Sequence, residues 1–186
     1  MYRFAAACLL CAVCAAAGAA EVAGVRLDDQ VSVGGKALVL NGAGIRTRFL
    51  LKVYVGSLYV PQKATTPLAV LELVPRRVQL NLLRDLTAKQ FVDALMEGLE
   101  DNNAAEDLRT LKPQTDELVR IMQSIGEAKE GSVIALDYVD GGTRITQDGA
   151  LRGTIPGEPF NKALFRIWLG DRPAQADLKK AMLGGS

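Results

Sequence analysis

The chain has 186 residues, 49% of them hydrophobic, and its 22 Lys and Arg against 21 Asp and Glu leave a formal net charge of +1. It has no histidine, so it lacks the usual general base near neutral pH, the Ser-His and Cys-His dyads and the imidazole ligands of zinc and copper sites. Near-cancelling charge, without a basic stripe carrying interleaved aromatics, argues against nucleic-acid binding.

Arg3 supplies a positive start, Phe4 to Ala17 form an uncharged apolar run, and Gly18-Ala19-Ala20 precedes Glu21 with small residues. This pattern predicts a cleavable signal over residues 1–20 and a periplasmic product, 21–186, folded as one domain. The apolar run is shorter than the roughly 20 residues a membrane span needs, so no span is expected in the mature chain. Cys11 and Cys14 follow Leu10 and Val13, whereas a lipid-anchored precursor carries a small residue before its cysteine. Cys8, Cys11 and Cys14 all fall inside the signal, which excludes disulfides and thiolate chemistry from the product. With no acidic cluster resembling a calcium loop, neither a metal nor a cofactor is expected.

From Val31 to Val60 the pattern predicts a long hairpin, with a strand at Lys36–Leu40, a bulge in the glycine-rich Asn41-Gly42-Ala43-Gly44, and a second strand over Phe49–Val60. Leu68–Val74 and Arg76–Leu83 read as two further strands, with Pro75 at the bend. Thr87 is placed to cap a helix in which Phe91, Leu95 and Leu99 recur every four residues, ending at Asn102-Asn103. A second helix is expected over Pro113–Ala128. Strands at Ser132–Val139, Thr143–Thr146 and Ala150–Ile155 are separated by the turn signals Asp140-Gly141-Gly142 and Asp148-Gly149, which predicts a meander. Two last helices, Pro159–Leu169 and Pro173–Leu183, end at Gly170 and Gly184. This order gives an α+β fold: an antiparallel β-sheet with a helical layer packed on it, an open-faced sandwich.

Three segments carry a family resemblance: Gly35 to Arg46 followed by Lys52 to Val60, the helix from Phe91 to Gly98, and the C-terminal Phe160 to Gly170 with Asp177-Leu178-Lys179-Lys180. In these the chain resembles the chalcone isomerase superfamily, and within it an exported bacterial chalcone isomerase-like branch. In the plant enzymes of that superfamily an arginine, a threonine, a tyrosine and an asparagine surround a substrate during intramolecular ring closure. The resemblance places the arginine at Arg46, the threonine at Tyr54, the tyrosine at Phe91 and the asparagine at Gly98, so three of the four groups are replaced. Ring closure needs donors aimed at developing negative charge, each worth about 2.7–4 kcal/mol, and neither Phe91 nor Gly98 supplies one.

Non-catalytic relatives bind fatty acids through an arginine and a tyrosine. The resemblance therefore implies a small apolar or amphipathic carboxylate as ligand, its head on Arg46 and Tyr54 and its tail against Phe91, Leu95 and Trp168. The spacing leaves two placements open: Arg46 and Tyr54 share a face of a regular ladder, or a four-residue offset holds them about 13 Å apart. Two alternatives compete, an intramolecular lyase or isomerase using Arg46 and Tyr54, and an envelope interaction scaffold presenting Arg76, Arg77 and Arg84.

Overall fold

The computed structural model describes residues 20–185; residues 1–19, which hold nearly all of the expected export signal, and Ser186 lie outside the described residues. A short hairpin of β1 (Ala20–Val22) and β2 (Val25–Leu27) precedes the main sheet. That sheet contains β3 (Gln30–Val33), β4 (Lys36–Arg48), β5 (Leu51–Val60), β6 (Arg76–Leu82), β9 (Val133–Val139), β10 (Gly142–Gln147) and β11 (Ala150–Pro156). Its order is β11-β10-β9-β6-β5-β4-β3, and every neighbouring pair is antiparallel. The helices are α1 (Pro67–Glu72), α2 (Ala88–Asn102), α3 (Ala105–Thr110), α4 (Lys112–Ile125), α5 (Glu158–Leu169) and α6 (Ala176–Met182). A two-residue bridge, β7 (Leu86–Thr87) with β8 (Glu127–Ala128), ties the start of α2 to the chain beyond α4.

Strand β6 shows how the sheet divides. Arg76, Val78, Leu80 and Leu82 are buried, while Arg77, Gln79 and Asn81 between them are partly exposed, the period-two pattern of a strand with one face in the core. The core face packs Leu58, Val78, Leu80 and Leu136 against Phe91, Leu95 and Leu99 of α2, Leu118 and Ile121 of α4, and Phe160, Leu164 and Trp168 of α5. The opposite face carries a small cluster of Val33, Leu38, Tyr59 and Val139.

Several local expectations change. Leu68–Val74 is not a strand: Thr66 caps α1 by accepting from the Ala69 N–H at 3.3 Å, and Pro67 fits the first helical turn, so this segment is the connection between β5 and β6. The second helix stops at Ile125, because Glu127 and Ala128 leave it to pair with Thr87 and Leu86. The glycine-rich stretch does hold a bulge, at the register shift between Leu40 and Gly42. Its two glycines have a further use: a Cβ on Gly42 would lie 2.0 Å from the Ala181 carbonyl oxygen and one on Gly44 2.8 Å from the Ala181 Cβ, so α6 lies on bare backbone. Phe49 belongs to the turn rather than the strand, and β5 starts at Leu51.

The proposed surface of Arg76, Arg77 and Arg84 does not exist as one patch. Arg76 is fully buried on the core side, and Arg77 is on the other face in a two-pronged pair with Asp137 at 2.5 and 2.7 Å. The Arg76 guanidinium donates to Asn161 Oδ1 at 2.8 Å and to the Leu71 and Leu73 carbonyls at 2.8 and 2.9 Å, and lies 4.4 Å from the Tyr138 ring centre. Burial lowers its pKa from the ordinary arginine value, an effect that the charges of Glu158, Tyr138 and Glu72 oppose. Replacing Arg76 with Leu leaves those acceptors without their donor in the core. The expected result is a loss of about 3 kcal/mol, read as a lower urea midpoint with an unchanged denaturant slope.

Candidate functional site

The hairpin of β4 and β5 contains two register shifts, one at Leu40/Gly42 and one at Arg46/Thr47. Between them the ladder is regular, and Arg46 stands directly opposite Tyr54. The four-residue offset is therefore absent. Directly opposed residues of an antiparallel pair project from the same face with Cβ atoms about 5 Å apart. The second shift leaves Val53 as the extra residue on β5, which restarts the alternation near the tip and brings Leu51 to the same cavity as Tyr54.

That cavity, of about 460 Å³, lies between the β4–β5 hairpin, α2, the end of α5 and the segment before α6. Arg46, Tyr54, Phe91, Leu95 and Trp168, the five residues named from the sequence, all line it. Its volume is in the range of small-molecule sites. A larger depression of about 660 Å³ is lined by loop and helix-end residues around Asn102, Asn103 and Asp171, and none of the five reaches it.

Each wall residue is held by identifiable contacts. Phe91 and Leu95 are on the buried side of α2, whose start is fixed by a capping box in which Thr87 and Gln90 each bond the other's backbone N–H. The buried Trp168 indole donates its N–H to the Tyr54 hydroxyl at 2.9 Å. This bond occupies an acceptor position on the phenol and leaves its proton available to a further acceptor. Burial raises the Tyr54 pKa; the Trp168 bond and the Arg46 charge lower it, by less, so the phenol stays protonated well beyond neutral pH.

Gln175, which the sequence reading missed, positions Arg46. Its Oε1 accepts from the Thr47 N–H at 2.8 Å and from Arg46 Nη1 at 3.5 Å, while its Nε2 donates to the Ile45 carbonyl at 3.3 Å. Arg46 Nη1 also donates to the Thr47 carbonyl at 3.0 Å. Among the described residues, Nη2 and Nε of Arg46 have no hydrogen-bond partner, so part of the planar donor set of this cavity-lining residue is unclaimed. Arg48, two residues along the same strand, also lines the cavity, a placement that the period of two could have revealed. Three acids of α2 line the cavity: Asp93 pairs with Lys89 at 2.7 Å, Glu97 makes a long, exposed pair with Arg48 at 3.7 Å, and Asp101 has no ion-pair partner among the described residues.

Gly98 lines the cavity because α2 and α5 touch there. A Cβ at this position would lie 2.7 Å from Ile167 Cγ2, so the position given to an asparagine in the plant enzymes has no room for a side chain at this helix spacing. Chemically, the cavity combines apolar side chains such as Phe91, Leu95 and Trp168 with charged ones that include Arg46, Arg48, Arg84 and Arg172, and the Arg46 guanidinium belongs to the residue directly opposite the oriented Tyr54 phenol. Among the described residues no group of three or more His, Cys, Asp or Glu is placed to hold a metal ion.

A family model described as chalcone isomerase-like matches residues 19–184, and the chain belongs to that family. Among solved structures, a fatty-acid binding protein of Arabidopsis thaliana superposes with a TM-score of 0.66 over 86% of this chain and 92% of its own, at 12% identity, a likeness of fold. No curated protein sequence matches the chain.

Tyr54→Phe leaves the buried Trp168 N–H without an acceptor. It is expected to destabilise the protein by about 1–3 kcal/mol in chemical denaturation, with a changed Trp168 emission maximum in the native state.

Proposed function

We propose that this chalcone isomerase-like chain binds a fatty acid or a similar apolar carboxylate rather than transforming one. The carboxylate is held by the free N–H groups of Arg46 and by the Tyr54 hydroxyl, and the acyl chain is packed against Phe91, Leu95 and Trp168. The observation that carries this reading is the direct cross-strand pairing of Arg46 with Tyr54 on the wall of a cavity that Phe91, Leu95 and Trp168 also line. Two donors side by side, one charged and one neutral, match the two oxygens of a carboxylate. The fold shared with a plant protein named for fatty-acid binding supports the same ligand class. Ring-closure chemistry would need polar donors on α2 where Phe91 and Gly98 stand.

Trp168 is the chain's one tryptophan and borders the cavity, so its emission reports occupancy without a label. Titration with palmitate is expected to shift Trp168 emission in a saturable way, whereas the alcohol of equal chain length binds more weakly. Arg46→Ala is expected to weaken palmitate binding about tenfold to a hundredfold, the worth of hydrogen bonds to a charged group. An emission spectrum indifferent to palmitate, or an Arg46→Ala variant that binds like the parent, would remove this reading.

We also place the protein in the periplasm, on the strength of the apolar run and small residues that precede Glu21. Fractionation of producing cells is expected to recover a periplasmic form whose first residue is Glu21. Recovery of uncleaved chain from the cytoplasm would refute the placement.

A further inference from the structure

We propose that the tip of the β4–β5 hairpin, Arg48 to Lys52, docks the protein on an anionic lipid bilayer. The proposal goes beyond the ligand reading and stands without it.

Five two-residue turns among the described residues have both positions in the left-handed region, and four of them end in glycine: Ala23-Gly24, Gly34-Gly35, Asp140-Gly141 and Asp148-Gly149. The fifth is Phe49-Leu50, at φ 48° and 65°. Bulky L residues avoid this region, and Asn-Gly or Asp-Gly is the low-strain choice for such a hairpin. The chain uses glycine at four turns and two large apolar residues at the fifth.

Those side chains stabilise little within the molecule. Phe49 is 84% exposed, Leu50 97% and Leu51 52%. An apolar tip in a strained turn that buries almost nothing internally is suited to burial elsewhere. The surrounding charge identifies where. Residues 46–52 read Arg-Thr-Arg-Phe-Leu-Leu-Lys, with three cations, three apolar side chains and no acid. Arg48 lies 5.6 Å from the Phe49 ring centre, and its pair with Glu97 is exposed and long, which leaves it available to a phosphate. Basic residues flanking an apolar wedge are the composition that binds anionic headgroups while the wedge enters the acyl boundary. Because Arg48, Phe49 and Leu51 also line the cavity, docking at this tip would set the cavity opening against the lipid surface.

The test is cosedimentation of the mature protein with vesicles of phosphatidylcholine mixed with phosphatidylglycerol, against vesicles of phosphatidylcholine alone. Binding to the anionic vesicles is expected, weakening as salt is raised. Leu50→Gly, at a residue outside the cavity wall, is expected to weaken vesicle binding about tenfold, the worth of one leucine's apolar surface. The same variant keeps or raises the unfolding midpoint, since glycine relieves the turn, so lost binding is not lost folding. Protein left in the supernatant with anionic vesicles overturns the proposal and leaves an acidic protein partner for the tip; so does a Leu50→Gly variant that sediments like the parent. Palmitate titration of the same samples without vesicles separates the two readings, since vesicle docking with no palmitate response would remove the ligand and keep the surface.

Discussion

A single buried guanidinium fixes how the helical layer meets the sheet. Arg76 at the start of β6 is fully buried with no carboxylate in ion-pair range among the described residues, and its charge is met by the Asn161 side chain, two carbonyls of the α1 region and an aromatic face. Such a group is costly to desolvate, and here Nε and Nη1 are directed to acceptors while Nη2 has no hydrogen-bond partner among the described residues. Asn161 is in turn held on the sheet by donating to Thr143 at 3.0 Å. That network sets the rotation of α5, and two turns further along the same helix Trp168 arrives over Tyr54. The phenol's orientation therefore begins at the far end of the sheet, with a residue that touches no ligand.

The cavity is the space left where the helices are held off the sheet at one end and drawn tightly together elsewhere. Gly98 lets α2 close on Ile167, while Gly42 and Gly44 let α6 lie against β4. Gln175, at the start of α6, can then reach Ile45 and Thr47 and align Arg46. Close backbone contact at the glycines thus converts into placement of a charged side chain about two turns of chain away.

The parts of this arrangement that were legible in the sequence are those set by local chemistry. Asp140-Gly141 and Asp148-Gly149 marked the meander because left-handed turns need such residues, Thr87 marked a helix start, and Asn41 to Gly44 marked a bulge. The misreadings arose where local pattern and tertiary context disagree. Leu68 to Val74 has the apolar density of a strand, yet Thr66-Pro67 starts a helix and β5 already has β6 beside it. Arg76 was grouped with Arg77 and Arg84 on a surface because nothing nearby in sequence announces Asn161, 85 residues away. The five cavity residues were nameable by resemblance, but their convergence depends on the second bulge at Val53, for which the sequence carries no glycine or proline signal.

Asn41 shows how finely the sheet-to-helix seam is set. At the bulge its amide nitrogen donates to both the Ala64 and the Met182 carbonyls, at 2.9 and 2.8 Å, while its oxygen accepts from the Ala64 N–H at 2.8 Å. Conversion of this one amide to a carboxylate, the thermal ageing to which asparagine is prone, would turn a double donor into a negative charge facing two carbonyl oxygens. The seam would then repel the last helix, and Gln175 would retreat with it, so an old molecule could keep its sheet and yet lose its grip on Arg46.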